Sequence, residues 1–331
     1  MKRWSQRPEG STWGDFGEDD QVGRLNLITP QRRLTAVRTI QAGKVFVLSL
    51  PLNIPGPGLH PPFRQPPRLS WPLGQNVSLD EVFRIAGAID IGNDDEVQLS
   101  LQYSTQWDGL SHIGAWFDVE GRGTPEKVFY NGFRGEFGPS GIVSLGIDNL
   151  AATGVQGRGV LVNLLAAFGT ERRRIGFTAL EAILAEQQLE VRPGDFLCIY
   201  TGYADALLER GNDPELGSLT AGFCGLDGGD ERLLQWITES GIAALCADNL
   251  AVEAEPEGHR SGQAHCAPGT PFLPLHHHCL FKLGVHLGEL WYLKELAEWL
   301  RSHGRSDFLL TAPPLRLPGA VASPVSPVAT V

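Results

Sequence analysis

The chain has 331 residues, 42 % of them hydrophobic and 20 % charged, so it can bury a substantial core. No stretch approaches the ~20 apolar residues that span a bilayer. The opening Met1-Lys2-Arg3-Trp4-Ser5-Gln6 lacks the apolar core of a secretory signal, so a cytoplasmic location without a membrane partner is expected. The net charge is −11, and Arg172-Arg173-Arg174 is the one basic run, read as a solvated turn, which argues against nucleic acid as a partner.

The first predicted strand runs from Lys44 to Leu52. Residues 54 to 76 are rich in Pro and Gly, which read as a long loop that can cover an active site. Gly159 to Leu165, Asp195 to Thr201 and Ala243 to Leu245 are short continuous apolar runs, the pattern of strands buried on both faces. Between them, Thr178 with Glu181 three residues on forms a capping-box pattern for a helix from Ala179 to about Leu189. A second helix follows Asp230, carries Leu233, Leu234 and Ile237 on one face, and can close at Gly241 in a left-handed cap. Residues 254 to 271 read as another long loop. A third helix is predicted from about Glu289 to His303, with Leu290, Leu293, Leu296, Ala297 and Leu300 as its stripe and Gly304 as its stop. Residues 313 to 331, taken alone, read as a tail. With no repeat and no linker, residues 1 to 331 are expected to form a single α/β or mixed α+β domain. The five cysteines, at 198, 224, 246, 266 and 279, are odd in number and lack CxxC spacing, so buried reduced thiols are expected rather than a disulfide framework or structural zinc site.

Three clusters can carry chemistry. In Thr105-Gln106-Trp107-Asp108-Gly109-Leu110-Ser111-His112, a carboxylate and an imidazole lie four apart beside a glycine turn and can share a metal or a proton. His276-His277-His278 is a metal-site pattern, although consecutive side chains diverge and at most one or two can serve one ion; a polar loop of surface histidines is the alternative. Glu289 ends the apolar run Val285-His286-Leu287-Gly288, where it can be a ligand or merely favour a helix dipole. Trp71, Trp107, Trp116 and Phe117 can line an aromatic substrate pocket or belong to the core.

Together these clusters resemble the cyclase family that includes kynurenine formamidase and isatin hydrolase. Thr105 to His112 is similar to the family's Gly-Thr-His-x-Asp-x-x-x-His segment, and His277, Leu280, Phe281, Gly284 and Glu289 are similar to its spacing of a histidine, two apolar residues, a glycine and a glutamate twelve residues after the histidine. Trp13 to Gly17, Asp20 to Asn26, Tyr130 to Gly132, Gly157 to Leu161, Arg192 to Asp195 and Asp248 to Glu253 extend the likeness along nearly the whole chain. The resemblance implies a swivelling β/β/α fold, a packed segment from Ala312 to Val331, a homodimer or homotetramer, and hydrolysis of an amide, formamide, cyclic imide or lactone of a small substrate. Where the family pattern has two histidines, this chain has Gln102 and Gln106, poorer zinc ligands. One divalent ion, zinc or manganese, is therefore expected on Asp108, His112, His277 and Glu289, with Gln106 orienting water or the carbonyl and His112 as ligand or proton relay. Two alternatives stay open: a metal-free cyclase or dehydratase using Asp108 and His112, and a non-catalytic small-molecule-binding protein.

Overall fold

Short apolar runs bounded by Gly and Pro generate the strands. The computed structural model describes residues 2–56, 59–71, 80–211, 222–254 and 266–331. Its main sheet contains nine strands: β1 (Val45–Val47), β2 (Gln106–Asp108), β3 (Gln156–Asn163), β4 (Phe196–Tyr200), β5 (Ala244–Ala247), β6 (His286–Glu289), β7 (Asp307–Thr311), β8 (Ala322–Pro324) and β9 (Val328–Thr330). Their order is β1-β9-β7-β3-β4-β5-β6-β2-β8. Strands β3 to β6 are parallel, which suits their apolar sequences. The flanking strands pair antiparallel.

The connection between β8 and β9 dictates the shape of this sheet. Only residues 325–327 separate them, a span of at most ~14 Å. Yet β8 forms one edge and β9 lies one strand in from the other. The sheet must therefore curl until its two ends face each other. Val325 N donates to Thr105 O at 3.1 Å and Leu48 N donates to Pro327 O at 2.8 Å, stitching the two ends together. The segment that reads as a tail is thus part of the sheet, as the family resemblance implied.

Helices cover the curled sheet. On one face, Leu197, Ile199 and Leu245 pack with Leu180 and Ile183 of α1 (Phe177–Glu186) and with Leu233 and Ile237 of α2 (Glu231–Ser240). On the other, Phe196, Cys198 and Cys246 pack with Leu296 and Leu300 of α3 (Lys294–Ser302). The result is a mixed α/β fold with a sheet core.

Several local expectations change. Helix α1 starts at Phe177, without a capping box: Asp230 Oδ2 accepts the Phe177 N–H at 2.7 Å, while its Oδ1 caps α2 through Arg232 N at 2.9 Å. Helix α3 starts at Lys294 rather than near Glu289, because residues 286–289 pair with β5 and β2. Leu290, with φ at +56°, then turns the chain out of the sheet. Within 54–76, Arg68–Ser70 pairs with Glu96–Gln98, so that stretch contains a strand. Residues 57–58 and 72–76 of the first predicted loop and 255–265 of the second lie outside the described residues. All five cysteines are free; four are buried and Cys266 is exposed. Among the described residues no helix is long and apolar enough to cross a membrane.

Candidate metal centre

The pairing of β2 with β6 builds the floor of the site. Glu289 stands opposite Gln106, Gly288 opposite Trp107, and Leu287 opposite Asp108. Because strand side chains alternate, Gln106, Asp108, Leu287 and Glu289 share one face. Trp107 points to the other, where it is fully buried against Trp291 and donates from Nε1 to Ala312 O at 2.8 Å. Gly288 makes this packing possible: a Cβ there would lie 2.8 Å from Trp291 Nε1 and 2.9 Å from Cys246 Sγ. Trp107 is thus corrected from a substrate contact to a core residue.

Two loops bring the imidazoles. The turn after β2, closed by His112 N donating to Gly109 O at 3.0 Å, places His112 Nε2 3.7 Å from Asp108 Oδ2. The second imidazole is His276. Its Nε2 lies 3.9 Å from Asp108 Oδ2 and 3.1 Å from Glu289 Oε1. Its Nδ1 lies 2.8 Å from Glu253 Oε1, which also accepts the His276 backbone N–H at 2.9 Å. One ligand atom from each of Asp108, His112 and His276 falls within 4.8 Å of the others.

The three consecutive histidines diverge, as their adjacency requires, but the member aimed at the site is not the one that the family spacing selects. The His277 ring packs on Phe281 with centroids 4.9 Å apart, and His278 Nε2 meets Thr238 Oγ1 at 2.8 Å. The physical reason is the π-helical turn His277–Leu283, closed by Gly284 in a left-handed conformation. A π turn takes up one residue more than an α turn. It shifts the inward position from twelve residues before Glu289 to thirteen, and His276 replaces His277.

The glutamines also enter the site. Gln102 Nε2 donates to Asp108 Oδ1 at 3.0 Å and lies 2.9 Å from His112 Nδ1. Gln106 Nε2 donates to Glu289 Oε2 at 2.8 Å. The aromatic expectations fare unevenly. Phe117 packs on Trp13 and Phe281 in the core. Trp116 is 69 % exposed on a hairpin and Trp71 is 46 % exposed.

Burial opposes a charged His276, but hydrogen bonds to Glu253 and Glu289 outweigh it and raise its pKa. Burial and then the Asp108 charge push the Glu289 carboxyl up, against the pull of His276. Burial lowers His112 despite Asp108, favouring its neutral form. Among the described residues, Asp108, Glu253 and Glu289 have no lysine or arginine as hydrogen-bond partner, and Asp108 Oδ2 and Gln106 Oε1 are buried without any hydrogen-bond partner. A buried carboxylate oxygen facing two imidazoles, with no donor of its own, fits a divalent cation. Glu253 holds the other ring nitrogen of His276, the outer contact that a ligating histidine would need. Sequence reasoning did not single out Glu253, although it ends the stretch Asp248 to Glu253 that carried part of the resemblance.

Comparison with known proteins agrees with this architecture. The Cyclase family model matches residues 46–254. A crystal structure solved as that of a novel cyclase is 34 % identical, covers 97 % of this chain and 97 % of that one, and superposes with a TM-score of 0.78. Isatin hydrolase A from Labrenzia aggregata, bound to benzyl benzoate, is 14 % identical over 91 % of this chain and 98 % of its own, with a TM-score of 0.56. Isatin hydrolase A from Ralstonia solanacearum is 14 % identical over 86 % of this chain and 91 % of its own, with a TM-score of 0.52. Among curated proteins no relative matches the chain.

Proposed function

This chain belongs to the cyclase family, and on that premise we propose that it is a metal-dependent hydrolase that cleaves an amide, formamide, cyclic imide or lactone bond of a small substrate. The observation that carries the reading is the unpartnered Asp108 Oδ2, with His112 Nε2 3.7 Å and His276 Nε2 3.9 Å away. Asp108, His112 and His276 would hold the ion, with Glu289 as a fourth donor. When bound, a divalent ion supplies Lewis acidity towards a carbonyl oxygen and towards water. The isatin hydrolases that share the fold support a carbonyl substrate by their names.

The residues themselves prepare this chemistry. Gln102 and Gln106 hold Asp108 Oδ1 and leave Oδ2 free to face the ligand space. Glu253 holds Nδ1 of His276 and so turns its Nε2 towards the site. Where Glu289 is not a donor to the ion, its carboxyl, raised by burial, can take up a proton and pass it to the leaving group. Burial holds the His112 pKa below its ordinary value, which favours the neutral imidazole that can accept a proton where it is not a ligand. Gln106 is corrected in detail: its amide nitrogen is engaged by Glu289, so only Oε1 remains to meet water.

A second reading has its own observation. The Gln102 amide already donates to Asp108 and contacts His112, which favours metal-free acid–base chemistry by that pair. Elemental analysis of the purified protein beside Asp108→Ala, followed by a screen of formanilides, imides and lactones with and without chelator, separates the two. About one zinc or manganese per chain, lost in the variant together with turnover, is expected. Turnover that survives in a metal-free preparation would overturn the metal reading in favour of the second.

A further inference from the structure

Two buried acceptors of the site stand two residues apart on one face of strand β2. They are Asp108 Oδ2 and Gln106 Oε1, each without a hydrogen-bond partner among the described residues. The chemistry above uses the first and leaves the second only to meet water. Gln106 is 1 % exposed, so its orphan oxygen lies deep.

Turning the amide over does not cure this. Its Nε2 donates to Glu289 Oε2 at 2.8 Å and to Asp108 Oδ1 at 3.4 Å. The opposite orientation would set the amide oxygen against two carboxylate oxygens. Neighbouring donors are already engaged. Trp291 Nε1 donates to the backbone oxygen of Gln106 at 3.2 Å, and the Gln102 amide serves Asp108 and His112. The oxygen and nitrogen of one amide lie about 2.2 Å apart, so Oε1 stays within ~5 Å of Glu289 Oε2. Glu289 in turn meets His276 Nε2 at 3.1 Å through Oε1. The orphan oxygen thus belongs to the same cluster as the imidazoles and the carboxylates.

A buried amide oxygen without a partner is unfavourable. A cation fits the need better than a further hydrogen-bond donor, because one cation can serve Asp108 Oδ2 and Gln106 Oε1 together. The hydrogen bonds from Nε2 to two carboxylates also polarise the amide and strengthen Oε1 as an electron donor. The amide oxygen is a hard, neutral ligand, and carbonyl and carboxylate oxygens suit manganese, whereas imidazole suits zinc.

We propose that Gln106 Oε1 is itself a ligand of the centre and that it tilts the site's preference from zinc towards manganese. This rests on the metal-dependent reading of the site. Zinc outbinds manganese at most nitrogen and oxygen sites, so the quantity at stake is the ratio of the two affinities, which Gln106 narrows.

The test adds zinc chloride or manganese chloride to metal-stripped parent and Gln106→Met. Zinc affinity is read by competition with a chelating dye, and manganese affinity from the electron paramagnetic resonance of the free ion. Methionine keeps the unbranched length and replaces the amide by a soft thioether. Manganese binding is expected to weaken about 10-fold or more and zinc binding less, so that the ratio widens. An unchanged ratio would overturn the proposal and leave Gln106 as a donor to Glu289 alone. Should Gln106→Met not fold, the parent answers through its infrared difference spectrum, metal-loaded minus metal-free, with carbon-13 in the glutamine side-chain carbonyls. A glutamine carbonyl band that moves to lower frequency on loading, and still does so in Gln102→Leu, supports the ligand. No such band, or one lost in Gln102→Leu, removes it. Elemental analysis separates the two levels of failure. A parent that takes up neither metal refutes the metal-dependent reading and the proposal with it, whereas a loaded parent with no Gln106 signature refutes the proposal alone.

Discussion

Replacing Glu253 by glutamine keeps the length of the side chain and removes its charge. In the parent, Oε1 accepts from both Nδ1 and the backbone N of His276, at 2.8 and 2.9 Å, and Oε2 accepts from Leu275 N at 3.2 Å. A hydrogen bond to a charged group is worth about 1.5–3 kcal/mol and a neutral one about 0.5–1.5 kcal/mol, so the change withdraws about 1–2 kcal/mol from the support of His276. Expressed as affinity for a divalent ion, this is a roughly 5- to 30-fold weakening. Glutamine also presents an NH₂ group to one of its former donors, most simply Leu275 N–H, which lowers the melting temperature. The two effects separate experimentally: zinc affinity comes from competition with a chelating dye at a temperature where both proteins are folded, and stability from urea denaturation. If Glu253→Gln melts earlier but binds zinc as tightly as the parent, Glu253 only anchors the 275–276 turn, and its role in orienting the imidazole is refuted.

Three further outcomes are expected. His276→Ala loses the metal and the activity, while His277→Ala keeps the metal; elemental analysis reporting the reverse would restore the spacing-based assignment. Gly288→Ala pushes a methyl against Trp291 and Cys246 and destabilises the chain by about 1–3 kcal/mol, read as a lower urea midpoint; an unchanged midpoint would show that this contact can relax. Burial lowers the His278 pKa to about 4 from an unfolded value near 6.5. The unfolded chain therefore binds the proton first as pH falls, and stability present above pH ~6.5 is lost towards pH 4. By pH 5 this amounts to about 2 kcal/mol from His278. Melting curves at pH 7 and pH 5 should show it, and a His278→Gln variant with the same pH dependence as the parent would exclude His278 as the cause.

What the sequence made legible follows from which signals are local. Strands β3, β4 and β5 declared themselves because a parallel strand covered on both faces must be apolar throughout. Helix α2 declared itself because Asp230 and Gly241 sit at its ends and serve as its caps. Helix α1 hid its start because its cap is supplied from 53 residues away. Strands β8 and β9 were obscured by their brevity and by Pro324 within β8 and Pro327 just before β9; edge pairing tolerates Pro324. In the site, Asp108 and Glu289 were visible as carboxylates at recognisable spacings, and cross-strand register brings them together. The choice between His276 and His277 was not visible, because the π turn that decides it depends on packing rather than on any local residue pattern. Of the two readings left open for Trp107, pocket or core, the structure selects the core for a simpler reason. Its neighbours in sequence face the site, and alternation sends it the other way.

Strand β2, which carries Gln106 and Asp108, is held between β6 and β8. Both partners are synthesised long after it, when most of the chain has already emerged. During translation the segment that will hold Asp108 therefore has neither of its neighbours, and its buried face has nothing to cover it. Closure of the curled sheet and assembly of the centre become one event, available only once residues 286–324 have left the ribosome. An ion held as proposed on Asp108 would therefore be captured only by chains whose sheet has closed, and a half-made chain would offer it no site.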